Sequence, residues 1–262
     1  MILIAIILGT LIAGIGSVWI AAALSFGVLA RYTQHMLSLA AGALLATAFM
    51  HLLPEAFESQ ASAHDMFAAL LAGLVFFFLL DKAELWHHGH EHGAAHDHSH
   101  GHSHNHSHEG QSKSGGWAVL AGDSVHCFGD GILIASAFMA DMRLGIVASL
   151  AVLAHEVPHH IGDLVVLRRS SRNRSAALLK VSLAGAVTAL GGVIGWWLVD
   201  WLRDYLPYFL VIASSSFIYV ALADLIPQLQ KRAALSETAA QIVWLVVGIG
   251  LVTLISGVAH SH

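Results

Sequence analysis

The chain alternates between long apolar runs and short polar interruptions. A bilayer core of about 30 Å needs roughly 20 apolar residues per helix. Ile2–Ala30 carries no charge and no histidine, and Val181–Val199, Tyr205–Ala223 and Thr238–Ala259 are uncharged. Four further runs are interrupted. Met36–Met50 runs into His51 and Glu55, and Met66–Leu80 ends at Asp81 and Lys82. Trp117–Ala140 contains Asp123, His126 and Asp130, and Leu144–Leu167 contains His155, Glu156, His159, His160 and Asp163. The pattern predicts eight transmembrane helices, an all-α polytopic bundle that forms one domain over residues 1–262. The first run is too long for a signal-peptide core and no basic segment precedes it, so it is expected to stay as a helix.

Composition agrees and narrows the partners. The 262 residues are 56% hydrophobic and 11% charged, with mean hydropathy +0.70. A soluble domain is about 25% charged, so too little charge remains here to cover a water-exposed surface. A single cysteine, Cys127, excludes a disulfide scaffold. A net charge of −5 gives no reason to expect nucleic acid. The lipid bilayer is the expected partner. Alternate loops hold Arg31, Lys82, Lys113, Arg168, Arg169, Arg172, Arg174, Lys180, Lys231 and Arg232, against only Arg143 and Arg203 on the other side. That asymmetry places both termini outside the cytosol. Trp86, Trp117, Trp201, Tyr205 and Tyr208 stand near helix ends, as an aromatic belt requires. The absence of targeting signals points to a bacterial inner membrane.

Histidine stands out, with 20 residues against 12 Lys+Arg. Eleven of them lie between His87 and His108, within a cytosolic loop of about residues 86–115. That segment has no apolar core to bury and is expected to be disordered. Its imidazoles suit weak, multiple binding of zinc, copper or nickel.

The histidines within the helices carry more information, because ionisable groups in a membrane are expensive and point to function. His126 and Asp130 are four residues apart and share a face; so do His155 and His159, and Asp163 continues that face. Three His and one Asp form a donor set that zinc accepts. Cys127 and Glu156 each follow one of these residues, about 100° round the helix, and suit a second, adjacent site with a soft thiolate. Pro158 removes a backbone hydrogen bond beside the proposed ligands. Gly129, Gly131 and Gly162 are expected to allow close helix approach. By depth, His51 and Glu55 come first from outside, then this cluster, then Asp123, Asp163 and Asp224. Protonated imidazole does not ligate, so binding should weaken as pH falls through about 6.5.

At these residues the sequence resembles the ZIP (Zrt-, Irt-like) family of metal transporters. His126-Cys127-Phe128-Gly129-Asp130-Gly131 is similar to that family's fourth-helix pattern HNFxDG. His155-Glu156-Val157-Pro158-His159-His160 is similar to the fifth-helix pattern HExPHE of one subfamily. His51-Leu-Leu-Pro54-Glu55-Ala56 and Tyr219-Val-Ala-Leu-Ala-Asp224-Leu-Ile-Pro227 resemble its second and seventh helices. The resemblance implies import of zinc or a related divalent ion as cargo, with no cofactor and no catalytic residue. It puts His126, Asp130, His155 and His159 at the main site, and Cys127 and Glu156 at its neighbour. Cys127 stands where the family has Asn, and His160 where it has Glu. Thr188-Ala-Leu-Gly191 lacks the sixth-helix acid that completes the second site in some bacterial members. Two other readings stay open. HEVPH matches the HExxH helix of zinc proteases, with Glu156 as base. A cation-diffusion exporter also carries His-rich loops, but has six helices and a soluble C-terminal domain. A homodimer is compatible with the sequence.

Overall fold

The computed structural model describes residues 1–25, 33–59, 61–89, 111–170, 174–229 and 235–260, and these are helical almost throughout. Among the described residues, eight helices follow in chain order. α1 runs Ile2–Leu11 and Ser17–Ser25 around a π-helical turn, Ile12–Gly16. α2 runs Thr33–Thr47 and Leu53–Phe57 around a second such turn, Ala48–Leu52. α3 is Ala63–Gly89, α4 Gln111–Ala140, α5 Met142–Ser170 and α6 Arg174–Trp201. α7 runs Leu206–Tyr219 and Ile226–Leu229 around a third π-helical turn, Val220–Leu225, and α8 is Leu235–His260. Helices satisfy their own backbone hydrogen bonds, which hydrocarbon demands of any spanning segment.

Seven of these helices are long and apolar enough to cross a membrane; α4 falls short of that measure. The reason is local: its middle carries Asp123, His126 and Asp130. Its surroundings compensate, because α4 packs on α1, α3, α5, α6 and α7 and so is screened from lipid on many sides. The His-rich tract lies mostly outside the described residues. α3 continues to Gly89 on one side of it and α4 begins at Gln111 on the other.

Close helix approach is confined to particular glycines. A methyl group at Gly131 would collide with the backbone of α6 at Thr188, Gly191 and Gly192. Gly191 sits equally tightly on the Phe128 carbonyl, and Gly14 of α1 on Gly185. Gly129 and Gly162 have nothing within 4 Å of such a methyl, so the expected role in packing belongs to Gly131 alone of the three. Residue spacing does not say which way a helix is rotated, and that rotation decides which glycine meets a neighbour.

Buried apolar side chains form two main cores. One joins Ile6, Leu44, Leu52, Leu133, Ile134, Phe138, Val152, Leu210 and Phe217. The other joins Val18, Ala21, Leu120, Val157, Leu164, Leu167 and Val181. On α4 the polar residues fall between Leu120 of one core and Leu133 of the other. On α5 they run from His155, after Val152 of one core, to Asp163, before Leu164 of the other, with Val157 among them. The ionisable groups thus occupy a layer between two apolar packings.

Candidate metal centre

Each of the two helices presents two stripes. On α4, His126 and Asp130 form one, and Asp123 and Cys127 the other. On α5, His155 and His159 form one, and Glu156 and His160 the other. Residues four apart project from the same side, and neighbouring stripes are about 100° apart. α4 and α5 pack together, and their stripes meet as two groups of donors.

The first group is His126, Asp130, His155 and Glu156. His126 Nε2 lies 3.3 Å from His155 Nε2, 3.2 Å from Glu156 Oε1 and 3.8 Å from Asp130 Oδ2. His155 Nε2 lies 3.2 Å from Asp130 Oδ2 and 3.3 Å from Glu156 Oε1. The second group is Asp123, Cys127, Glu156 and His160. His160 Nε2 lies 3.2 Å from Glu156 Oε2 and 3.6 Å from Asp123 Oδ1. Cys127 Sγ lies 3.7 Å from each of Asp123 Oδ1 and Glu156 Oε2. Glu156 belongs to both groups, one oxygen turned to each.

These spacings suit a metal. Zinc holds nitrogen and oxygen at about 2.0–2.2 Å and sulfur at about 2.3 Å, so donors of a tetrahedral shell sit roughly 3.3–3.7 Å apart. Most of the distances above fall in or beside that range. Asp130, His155, Glu156, His160 and Cys127 are all buried. The two buried carboxylates, Asp130 and Glu156, with the half-buried Asp123 beside them, require a compensating positive charge.

Hydrogen bonds outside the groups fix the rings. His155 Nδ1 donates to the Ala151 carbonyl at 3.3 Å, because a carbonyl only accepts. A neutral His155 therefore turns its Nε2 lone pair towards Asp130 and Glu156. Such a partner on the other ring nitrogen orients metal-binding histidines generally.

Not every expected ligand joins these groups. His159 stands beside the first, its ring centroid 5.7 Å from that of His126 and 5.9 Å from that of His155. Glu156 reaches the position beside His126 and His155 that the resemblance gives to His159. Asp123 and His160 were absent from the expected ligand set, yet the structure sets both in the second group. Their i, i+4 spacing to Cys127 and Glu156 is the signal that identifies them. Farther along α2, His51 and Glu55 line a polar cleft of about 310 Å³ with Glu58, Asp141, Arg143 and Ser256. The side chain of Asp224 lies outside what the structure describes.

A family profile described as ZIP Zinc transporter matches residues 81–256, a span that includes all of α4 and α5. The chain is 27% identical to the zinc transporter ZIP13 of Pongo abelii, over 95% of this chain and 77% of that protein. It is 34% identical to ZIP10 of Danio rerio over 53% of the chain, and 36% identical to human ZIP4 over 44%. Those stretches amount to 17% of the ZIP10 protein and 18% of the ZIP4 protein. The relatives are named as zinc transporters and not as enzymes. The profile match covers most of the helical bundle and both helices of the metal centre, and on that ground the chain belongs to the ZIP zinc transporter family.

Proposed function

We propose that the protein carries zinc, or a related divalent cation, across the membrane towards the cytosol through the centre between α4 and α5. The observation that carries this reading is the first donor group. Four N and O donors from two membrane helices lie at the spacing of a metal shell, in a buried layer where their charge has no other evident use.

The residues act in sequence along the path. His51 and Glu55 draw the ion into the cleft at the outer end of α2. The ion sheds water and is held by His126, Asp130, His155 and Glu156, with His159 at the margin. It leaves inward past Asp123 and Asp163. The apolar cores on either side open alternately, so that the ion meets one side of the membrane at a time. With basic loops inside, both termini lie outside, and a bacterial inner membrane fits the chain. The His-rich tract is accessory, a loose metal-binding segment at the cytosolic exit.

Zinc uptake into vesicles tests the site. His155→Ala and Asp130→Ala should each lower flux at least about tenfold, the minimum loss expected when a metal shell is disrupted. Undiminished flux in both would remove the assignment. Cleavage of a membrane substrate that depends on Glu156 would support the protease reading of HEVPH instead.

A further inference from the structure

A cavity of about 460 Å³ lies where α1 and α5 meet α2 and α8, behind the metal centre. Leu150, Leu153, Ala154 and Val157 of α5 line it, at the three- and four-residue spacing of one helix face. At about 100° per residue, His155 and His159 project from the opposite side of that helix. Val157 is buried, whereas Ile20, Leu150 and Trp244 stay exposed at the rim. The cavity is therefore a groove in the outer surface of the bundle, and within a membrane that surface meets lipid. Its polar groups are few. His35, in the first turn of α2, and Trp244 of α8 set their rings edge to face, with centroids 6.0 Å apart and planes at 67°. An indole N–H only donates, and a neutral imidazole donates through one nitrogen. An apolar space of about 300–1,000 Å³ with a few polar groups is the make-up of a ligand pocket.

We infer that this groove binds one acyl chain of an anionic phospholipid, with the headgroup at the end marked by His35 and Trp244. Water does not settle in an apolar groove, and empty space leaves the lining without contacts. The bilayer supplies hydrocarbon chains in excess. A phospholipid matches both parts of the groove. Its chain suits the walls of Leu39, Leu153 and Val157, and its ester and phosphate oxygens are acceptors for the two donor rings. Charge selects among phospholipids. In the sequence Arg31 precedes α2, and Lys231 and Arg232 precede α8, the two helices that carry the rings. Basic residues beside a membrane surface attract anionic headgroups. A chain seated there backs the face of α5 opposite His155 and His159, and steadies that helix against α2 and α8. Only this bracing role rests on the transport reading; binding of the lipid is a separate claim.

Trp244 reports on its own groove, because bromine quenches an indole that it touches. The full-length protein is reconstituted in phosphatidylcholine vesicles with rising fractions of phosphatidylglycerol brominated on its acyl chains. Trp244 is one of seven tryptophans, and its share of the fluorescence is the difference between wild type and Trp244→Phe. That share should be quenched saturably at a low brominated fraction, while quenching in Trp244→Phe rises in proportion to the fraction. Leu153→Phe and Leu150→Phe narrow the groove and should each raise the half-saturating fraction roughly tenfold, within what overpacking costs. Leu150 stands at the exposed rim, so Leu150→Phe serves where Leu153→Phe fails to fold. Brominated phosphatidylcholine in place of the anionic lipid should need a several-fold higher fraction. Quenching of Trp244 that rises only in proportion to the brominated fraction, or a half-saturating fraction that neither variant moves, overturns the site. Equal half-saturation by the two lipids overturns the choice of an anionic one. Zinc uptake into vesicles with and without phosphatidylglycerol tests the bracing. Wild-type flux should rise with that lipid, and flux through Leu150→Phe should rise less. Equal rises overturn the bracing role. Saturable quenching in a protein without flux sinks transport and keeps the groove.

Discussion

Glu156 carries more of this centre than its place in the sequence suggests. It touches His126 and His155 through one oxygen and His160 and Cys127 through the other. Glu156→Gln keeps the volume, removes the charge and replaces one acceptor by a donor pair. Zinc binding to the detergent-purified protein, measured by calorimetry against a His-rich-loop deletion as background, should weaken at both groups, with the tight phase losing at least about tenfold in affinity. Binding unchanged in that variant would mean that the carboxylate is not shared. The placing of His126 and Asp130 on one face was legible because four-residue spacing fixes a common face, whereas the same spacing pairs His155 with His159, which stands beside the first group. The sharing of Glu156 was not legible. Spacing gives an angle on each helix but leaves open how the two helices are turned towards each other. The reach of a glutamate, longer than that of an aspartate, then lets one residue serve two neighbours.

At the level of the helices, the centre depends on how closely α4 lies on α6. Gly131 meets the α6 backbone there, and Gly191 returns the contact at Phe128. Gly131→Ala should cost about 1–3 kcal/mol, as overpacking does, and shift the donors of α4 with it. Gly129→Ala, where a methyl meets nothing within 4 Å, should stay within about 0.5 kcal/mol or gain slightly. Thermal unfolding in detergent compares the two, and equal losses would contradict the assigned packing. The helices themselves were readable from apolar length, even α4, whose polar middle keeps it below the measure the other seven meet. The three π-helical turns were not readable. Each adds a residue to a turn through backbone hydrogen bonds, which apolar patterning does not record. Two of them contain polar residues of the expected ion path: Ala48–Leu52 contains His51 and Val220–Leu225 contains Asp224.

For the whole molecule, deleting His87–His108 should leave zinc flux largely intact in vesicles; complete loss with normal insertion would make the loop part of the pathway. The eight-helix plan and the polar layer follow from the sequence, because apolar runs set the plan and ionisable interruptions mark the layer. What the chain order conceals is that Leu120, Val157 and Val181 gather on one side of that layer and Leu133, Val152 and Phe217 on the other. These two dry packings have an electrical consequence. Any voltage across the membrane must drop largely over them, since the polar layer between is the better conductor. Carrying a divalent ion across both costs or yields about 4.6 kcal/mol per 100 mV, twice the figure for one elementary charge. Uptake into vesicles clamped at opposite potentials should therefore differ strongly in rate. A rate indifferent to voltage would mean that the acids of the centre travel with the ion, or that protons return in exchange, so that what crosses the insulation is neutral.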